Sequence, residues 1–355
     1  MVNCTTMFTP LMIPETLHEK FPLSSEQRER ISQYRKIAKN ILLGKDKRLL
    51  IFVGPCSIHD PKIALEYAQH LKRLSEKVAD RIVLIMRVFL EKSRTQLGWK
   101  GFVYDPYLDG SYAIEKGLIA SWKLLRNITA IGLPIVTEFL DPILFSYTQD
   151  LVTWGVIGAR TTSSQIHRQV ASQLPMPVGF KNDINGNIDC AIHSALVARH
   201  PQLSLTIDKK GRACSLKTFG NPFTHIILRG ALTHTNYDPV SVSQAIQKQH
   251  LYGLDARLVV DCAHGNSKKN LQKQQHTFFS VLKQIQNGHS PIIGLMLEST
   301  LQEGRALSIT DPCLGWDSTE KLILLAYRLL PNFCEQYLVK KGSGDYTSKI
   351  KGEAK

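Results

Sequence analysis

Apolar and polar positions alternate in blocks along this chain. Short apolar runs are separated by longer stretches whose apolar residues recur at three- and four-residue spacing. The runs are LLIFVGPC ending at Cys56, IVLIMR at Arg87, LPIVTE at Glu138 and GVIGAR at Arg160. They continue with PVGFK ending at Lys181, THIILR at Arg229, RLVVDCAH at His264 and PIIGLMLE at Glu298. Each reads as a strand buried on both faces, the mark of a parallel sheet. Between the first two runs, a segment opening on Pro61 places Ile63, Ala64, Tyr67, Leu71 and Leu74 at helical period, with proline suited to the first turn. Similar patterns predict helices over about 111–131, 141–153, 163–173, 186–199, 239–250, 268–286 and 317–338. Eight strands alternating with eight helices predict an α/β fold, a closed parallel (β/α)8 TIM barrel.

Four segments lie outside this alternation. In residues 1–48, Ser24 or Ser25 caps a helix to about Leu43 with Gly44 as its stop, and Pro10, Pro14 and Pro22 keep the chain before it extended. This N-terminal extension is expected to cover the barrel bottom or to serve as an oligomer and regulatory arm. The catalytic barrel is expected over 49–340, with a small β-hairpin inserted at 203–222 and turning at Lys210–Gly211. Residues 341–355 read as a flexible basic tail. The stretch 91–110, EKSRTQLGWKGFVYDPYLDG, is too long for a plain connection and is a functional loop.

Composition narrows the class. A length of 355 residues and an apolar fraction of 43% fit one barrel with additions. No apolar stretch reaches the roughly 18 residues of a membrane span, and the N-terminus carries no signal-like apolar core. The seven cysteines are odd in number and lack framework spacing, which predicts a reducing, cytoplasmic setting without disulfides. The formal charge of +14 raises nucleic acid as a partner. The basic residues, however, are mixed with acids and lack aromatic interleaving, and their clearest cluster is the terminal Lys340 to Lys355. Neither a nucleic acid nor a membrane is an expected partner.

In a (β/α)8 barrel, the C-terminal strand ends and the loops after them build the active site. The eight run-ends therefore describe a site. Cys56, His264 and Glu298 come from runs one, seven and eight, which closure makes neighbours, and Asp311 in SITDPC follows the last run. Thiolate, imidazole and carboxylates suit a divalent transition ion such as Mn, Fe, Co or Zn. Position alone leaves a second reading open: Cys56 in the core, His264 bonded locally, Glu298 paired with an arginine. Cys262 is a rival thiol, expected to point into the barrel one layer deeper. Arg87, Arg160, Lys181 and Arg229 end runs, and Lys92 and Arg94 follow the second. Six cations around one mouth require anions, since buried charges need partners. Two phosphates and a carboxylate would satisfy them. Glu138 reads as an acid/base or as an orienter of an arginine. Lys181 alone would also fit a Schiff-base aldolase.

Together these segments resemble the type I 3-deoxy-D-arabino-heptulosonate 7-phosphate (DAHP) synthases, in the enterobacterial and yeast branch. The matching stretches are GPCSIHD (54–60), MRVFLEKSRTQLGWKG (86–101), TEFLD (137–141), GARTTSSQIHRQVAS (158–172) and PVGFKN (177–182), then HIILRG (225–230), DCAHGNS (261–267), LMLES (295–299) and SITDPCLGW (308–316). The resemblance implies a metal-dependent transferase that condenses phosphoenolpyruvate with erythrose 4-phosphate, the first step of the shikimate route to aromatic amino acids. It implies phosphoenolpyruvate contacts at Arg87, Lys92, Glu138, Arg160, Lys181 and Arg229, and erythrose-phosphate contacts at Arg94 and Thr95. It also implies metal ligands at Cys56, His264, Glu298 and Asp311, and chemical roles for Lys92, Lys181, Arg87 and His264. A homodimer or homotetramer and an aromatic amino acid effector follow from the same resemblance. The KSRT loop and GWKG argue against the sister 3-deoxy-octulosonate 8-phosphate synthases. Departures are Ser93 where the family usually has proline, DING at 183–186, Pro175 where feedback-sensitive members carry serine, and a shortened 299–310 segment that changes how Asp311 is delivered.

Overall fold

A computed structural model describes residues 6–287 and 291–331. The barrel strands are β1 (Leu49–Gly54), β2 (Ile82–Arg87), β3 (Ile135–Glu138), β4 (Trp154–Ile157) and β5 (Val178–Lys181). After a hairpin of β6 (Gln202–Ile207) and β7 (Ala213–Thr218) come β8 (Thr224–Leu228), β9 (Leu258–Asp261) and β10 (Ile292–Glu298). All neighbouring barrel pairs are parallel, and the ring closes in the order β1-β10-β9-β8-β5-β4-β3-β2. The helices are α1 (Pro14–Lys20), α2 (Ser25–Leu42), α3 (Pro61–Val78), α4 (Ile114–Ile131), α5 (Phe145–Thr148) and α6 (Gln165–Gln173). They continue with α7 (Asp189–Arg199), α8 (Pro239–Leu251), α9 (His264–Ser267), α10 (Leu271–Gln286) and α11 (Trp316–Leu329). Among the described residues no helix is long and apolar enough to cross a membrane.

Side-chain alternation along each strand divides the core in two. One set fills the barrel interior and includes Leu50, Phe52, Ile85, Val136, Trp154, Val156, Ile227, Val259 and Met296. Ala38, Ile41 and Leu42 of α2 join it and plug the barrel bottom. The opposite set, including Ile51, Val53, Leu84, Phe180, Leu228 and Val260, packs under the helices. Local chemistry starts the helices where the pattern predicts. The Asp60 carboxylate accepts the N–H groups of Lys62 and Ile63 ahead of Pro61, and Ser24 and Gln27 form a reciprocal capping box at α2.

Several expectations need correction. Pro14 does not keep the chain extended: it is the first residue of α1, where a fixed φ and a missing N–H cost nothing. The predicted 141–153 helix is only α5 and one 3-10 turn at Gln149–Leu151. The predicted 268–286 helix begins at Leu271, because Lys268 and Lys269 take left-handed φ values of 50° and 60°. The predicted 317–338 helix stops at Leu329, ahead of Pro331; positions 332–338 lie outside the described residues, as does the 341–355 tail. The inserted hairpin has the expected position and turn. Gly211 sits at φ 71°, and the Asp208 carboxylate accepts the N–H groups of Lys210 and Arg212.

Candidate active site

The run-end residues gather at the C-terminal end of the barrel, but four of them lie past their strands. Cys56 is two residues beyond β1, Arg160 three beyond β4, Arg229 one beyond β8 and His264 three beyond β9. The strands aim the chain, and the first loop residues present the chemistry. A cavity of about 340 Å³ opens there. Among its described lining residues are six cations (Lys92, Arg94, Arg160, Lys181, Arg229 and Lys269) against three carboxylates, Glu91, Glu138 and Asp311.

The expected metal ligands converge in part. Ligand atoms of Cys56, Glu298 and Asp311 all lie within 4.8 Å of one another. His264 borders this trio: its Nε2 is 3.4 Å from Glu298 Oε1. A thiol, two carboxylates and an adjacent imidazole form a donor set that fits a divalent transition ion. The shortened 299–310 segment still delivers Asp311. Arg305 Nη1 donates to the Thr310 carbonyl at 2.8 Å, and the Ser308 hydroxyl donates to the Asp311 carbonyl at 2.6 Å. Thr310 and Ser57 hydroxyls meet at 2.9 Å, which links the segments carrying Asp311 and Cys56.

Charge balance around this group is tight. Lys92 Nζ donates to Cys56 Sγ at 2.9 Å, and Lys269 Nζ pairs with Asp311 at 2.9 Å. Burial pushes the Cys56 thiol up, the Glu298 carboxylate adds to this, and Lys92 opposes it. Burial would lower Lys92, but Cys56, Glu298 and Asp311 more than offset it and raise its pKa. Glu298 follows the reverse logic: burial raises it, while His264 and Arg87 hold it below the ordinary carboxylate range. The alternative reading of Glu298 as an arginine partner is also met, since Arg87 Nη2 donates to Glu298 Oε1 at 3.0 Å.

The cations divide by depth. Arg87, Lys181 and Arg229 are buried, whereas Arg94 and Arg160 are exposed at the rim with Thr95. Fully buried Arg87 stacks its guanidinium over Phe89, and its Nη1 has no hydrogen-bond acceptor among the described residues. Arg160 reaches across the rim, donating from Nε to the Thr95 hydroxyl at 2.7 Å and from Nη1 to the Ser93 hydroxyl at 3.3 Å. Ser93, a departure from the family pattern, thus has a partner. Glu138 is packed against Gly158, where any Cβ would overlap Oε1 of that carboxylate. Gly158→Ala should therefore displace Glu138 and reduce kcat/KM roughly tenfold to a hundredfold, by the usual penalty for ångström-scale misplacement. Steady-state kinetics with an unchanged melting temperature would confirm it; an unaltered kcat/KM would refute it.

Two residues without an assigned role from the sequence are central. Asp261, fully buried at the end of β9, pairs with Lys181 Nζ at 2.8 Å. It also lies 2.9 Å from His264 Nδ1, near enough for a charge pair although unaligned as a hydrogen bond. Burial pushes Asp261 up, yet His264 and Lys181 hold it well below the carboxylate range. The signal was visible as an acid inside the apolar run RLVVDCAH. Lys269 had no such signal, since the periodicity assigned its neighbourhood to a helix. His264 itself has φ 51°, a strained conformation for a residue with a Cβ. Cys262 is corrected: with Leu258 and Val260 it belongs to the layer under the helices, so it faces away from the barrel interior and cannot rival Cys56.

Comparison with known proteins agrees with this geometry. Residues 20–325 match the DAHP synthetase I family. The Tyr-sensitive phospho-2-dehydro-3-deoxyheptonate aldolase of Escherichia coli K12 is 45% identical over 325 residues, 88% of this chain and 91% of the relative. The Trp-sensitive enzyme of Enterobacter agglomerans is 42% identical over 332 residues, 90% of this chain and 95% of the relative. The solved structure of a phospho-2-dehydro-3-deoxyheptonate aldolase from Francisella tularensis SCHU S4 superposes with a TM-score of 0.89 at 40% identity, covering 92% of this chain and 98% of the other. With a match over most of its length and a closed barrel carrying the cation-rich cavity, the chain belongs to the DAHP synthetase I family.

Proposed function

We propose that the cavity condenses phosphoenolpyruvate with D-erythrose 4-phosphate and water, giving 3-deoxy-D-arabino-heptulosonate 7-phosphate and phosphate. The chain is a DAHP synthase, an enzyme of aromatic amino acid biosynthesis. The observation that carries the site assignment is charge: six cations face three carboxylates in one cavity, an excess that two phosphorylated substrates and a carboxylate would neutralise.

Buried Arg87 and Lys181, with Lys92, bind the phosphoenolpyruvate carboxylate; Arg229 and Arg160 hold its phosphoryl group, and Glu138 orients these cations. Arg94 and Thr95 bind the erythrose phosphate at the rim. Cys56, His264, Glu298 and Asp311 would hold one divalent transition ion, Mn, Fe, Co or Zn, which when bound would supply Lewis-acid polarisation of the aldehyde. C3 of phosphoenolpyruvate bonds to the aldehyde carbon, and that oxygen takes up a proton to become a hydroxyl. Lys92 is placed to hold or move this proton, while His264 serves at the ion site with its Nδ1 facing Asp261. The C2=C3 electron pair forms the new bond and leaves C2 electron-poor; water adds there and gives up a proton that balances the one taken up. The hemiketal hydroxyl passes its proton to the departing phosphate as the C–O bond to phosphate breaks and the ketone forms. Holding two anions together against their repulsion is the main work of the site. A Schiff base at Lys181 is disfavoured, because its amine is committed to Asp261 at 2.8 Å.

The enzyme acts in the cytoplasm as a homodimer or homotetramer, with residues 1–48 as contact and regulatory arm. Its effector is an aromatic amino acid; relatives named Tyr-sensitive and Trp-sensitive support this class. Phosphate release by Mn-loaded protein should require phosphoenolpyruvate and erythrose 4-phosphate and be weak with arabinose 5-phosphate. Borohydride should not trap the substrate on the protein. Preference for arabinose 5-phosphate, or borohydride inactivation, would overturn the assignment.

A further inference from the structure

The loop after β2 carries Lys92, Ser93, Arg94 and Thr95, so its start must be held against the rest of the cavity. Its neck is a short antiparallel contact. Glu91 bridges Gly101, Lys92 N–H donates to the Lys100 carbonyl at 2.8 Å, and Val103 N–H donates to the Leu90 carbonyl at 3.3 Å. The Glu91 side chain, buried at 4% exposure, turns from its own loop to the one after β3. Its Oε2 accepts the Leu140 N–H at 3.1 Å and its Oε1 accepts the Asp141 N–H at 3.0 Å.

The Leu140 peptide is held from its other side as well. Its carbonyl lies 2.7 Å from His167 Nε2. A carbonyl only accepts, so Nε2 carries the proton, and Nδ1 accepts from the Ser164 hydroxyl at 2.9 Å. Ser164 and His167 belong to the segment that follows Arg160 and opens α6. One connected set of hydrogen bonds therefore joins the loops after β2, β3 and β4; the first carries Lys92 to Thr95, the second follows directly on Glu138 at the end of β3, and the third carries Arg160. Tyr104 closes the set. Its hydroxyl lies 3.3 Å from Glu91 Oε1 and 3.0 Å from Asp141 Oδ2. One phenol proton serves either carboxylate, so Tyr104 ties Glu91 and Asp141 together from a third side. Burial, with Asp141 and Glu138 nearby, pushes Glu91 up to about 8.

We propose that Glu91 is a positioning residue for the condensation: a clasp that binds no substrate but sets the spacing of Lys92, Arg94 and Thr95 relative to Glu138 and Arg160. The side chain suits this role because two consecutive amides need two acceptor oxygens on one planar group of this reach. Glutamine retains one oxygen and presents an NH₂ to the other amide, and aspartate is one methylene short.

The inference rests on the DAHP synthase assignment, and the parent enzyme's phosphate release separates failure of that assignment from failure of the clasp. Glu91→Gln should lower kcat/KM for erythrose 4-phosphate about a hundredfold, the usual scale for ångström misplacement, with most of the loss in KM because Arg94 and Thr95 ride on the clasped loop. Mn affinity, read by equilibrium titration, should fall by less than about tenfold, well short of the loss in kcat/KM, since the clasp touches none of the proposed ligands and reaches Cys56 only through Lys92. Tyr104→Phe, which removes only a hydroxyl, should show the same pattern at roughly three- to tenfold, and it decides the matter if Glu91→Gln does not fold. A kcat/KM within twofold of the parent in either folded variant would overturn the proposal, as would a loss that tracks weakened Mn binding.

Discussion

Chelation should lower phosphate release by about a thousandfold or more, and Mn should restore it. A bound Lewis acid is worth several kcal/mol of barrier, and about 4 kcal/mol corresponds to that factor. Cys56→Ser should reproduce the loss without a chelator, because a serine hydroxyl is a poor substitute for thiolate toward a transition ion. Removing a partner that merely supports a ligand costs roughly ten- to a hundredfold in metal affinity, and removing a ligand should exceed this. Metal content after dialysis and initial rates with Mn added back are the measurements. A chelated Cys56→Ser protein with full activity would remove the ion from the mechanism. The trio of Cys56, Glu298 and Asp311 makes the experiment specific, since each ligand atom lies within 4.8 Å of the others. Lys92, 2.9 Å from the same sulfur, ties that position to the proposed phosphoenolpyruvate site.

The second large effect concerns stability. Asp261→Ala should destabilise the fold by roughly 3–5 kcal/mol, because it leaves the buried Lys181 ammonium without its partner. That corresponds to a melting temperature lower by roughly 10 °C. Activity should fall too, as both Lys181 and His264 lose the group that orients them. Adding Lys181→Met to Asp261→Ala should recover most of the stability and none of the activity, since removing both members of a buried pair is often close to neutral. Failure of the double variant to regain stability in urea unfolding would show that the pair is not what the single variant disrupts. Asp261 is held well below the carboxylate range, so the pH dependence has a definite sign. Its contribution is present above the unfolded value of about 3.9 and is lost only as the pH falls through the lower folded value.

The sequence by itself determined the eight-strand barrel, the inserted hairpin, the helix α2 ahead of the barrel, and the end of the molecule where chemistry collects. These follow from short-range regularities: period-two and period-3.6 burial, a serine cap ahead of α2, Pro61 at the start of α3, and a glycine turn at 211. It also placed Cys56 beside Glu298, because closure of the ring makes the first and last strands neighbours whatever lies between them in the chain; His264 was expected with them and Asp311 as a fourth member, and it is Asp311 whose ligand atom completes the tight trio. Only the tertiary structure decided the rest. Facing direction depends on where a strand stops, and β9 stops at Asp261, so Asp261 turns inward to Lys181 while Cys262 turns under the helices. Beyond that stop, alternation no longer applies: His264 reaches Glu298 through a left-handed residue, and Lys269 reaches Asp311 through two more. Glu91 carries no periodic signal, because its partners are backbone amides on a different loop, and backbone groups are the same whatever the sequence spells.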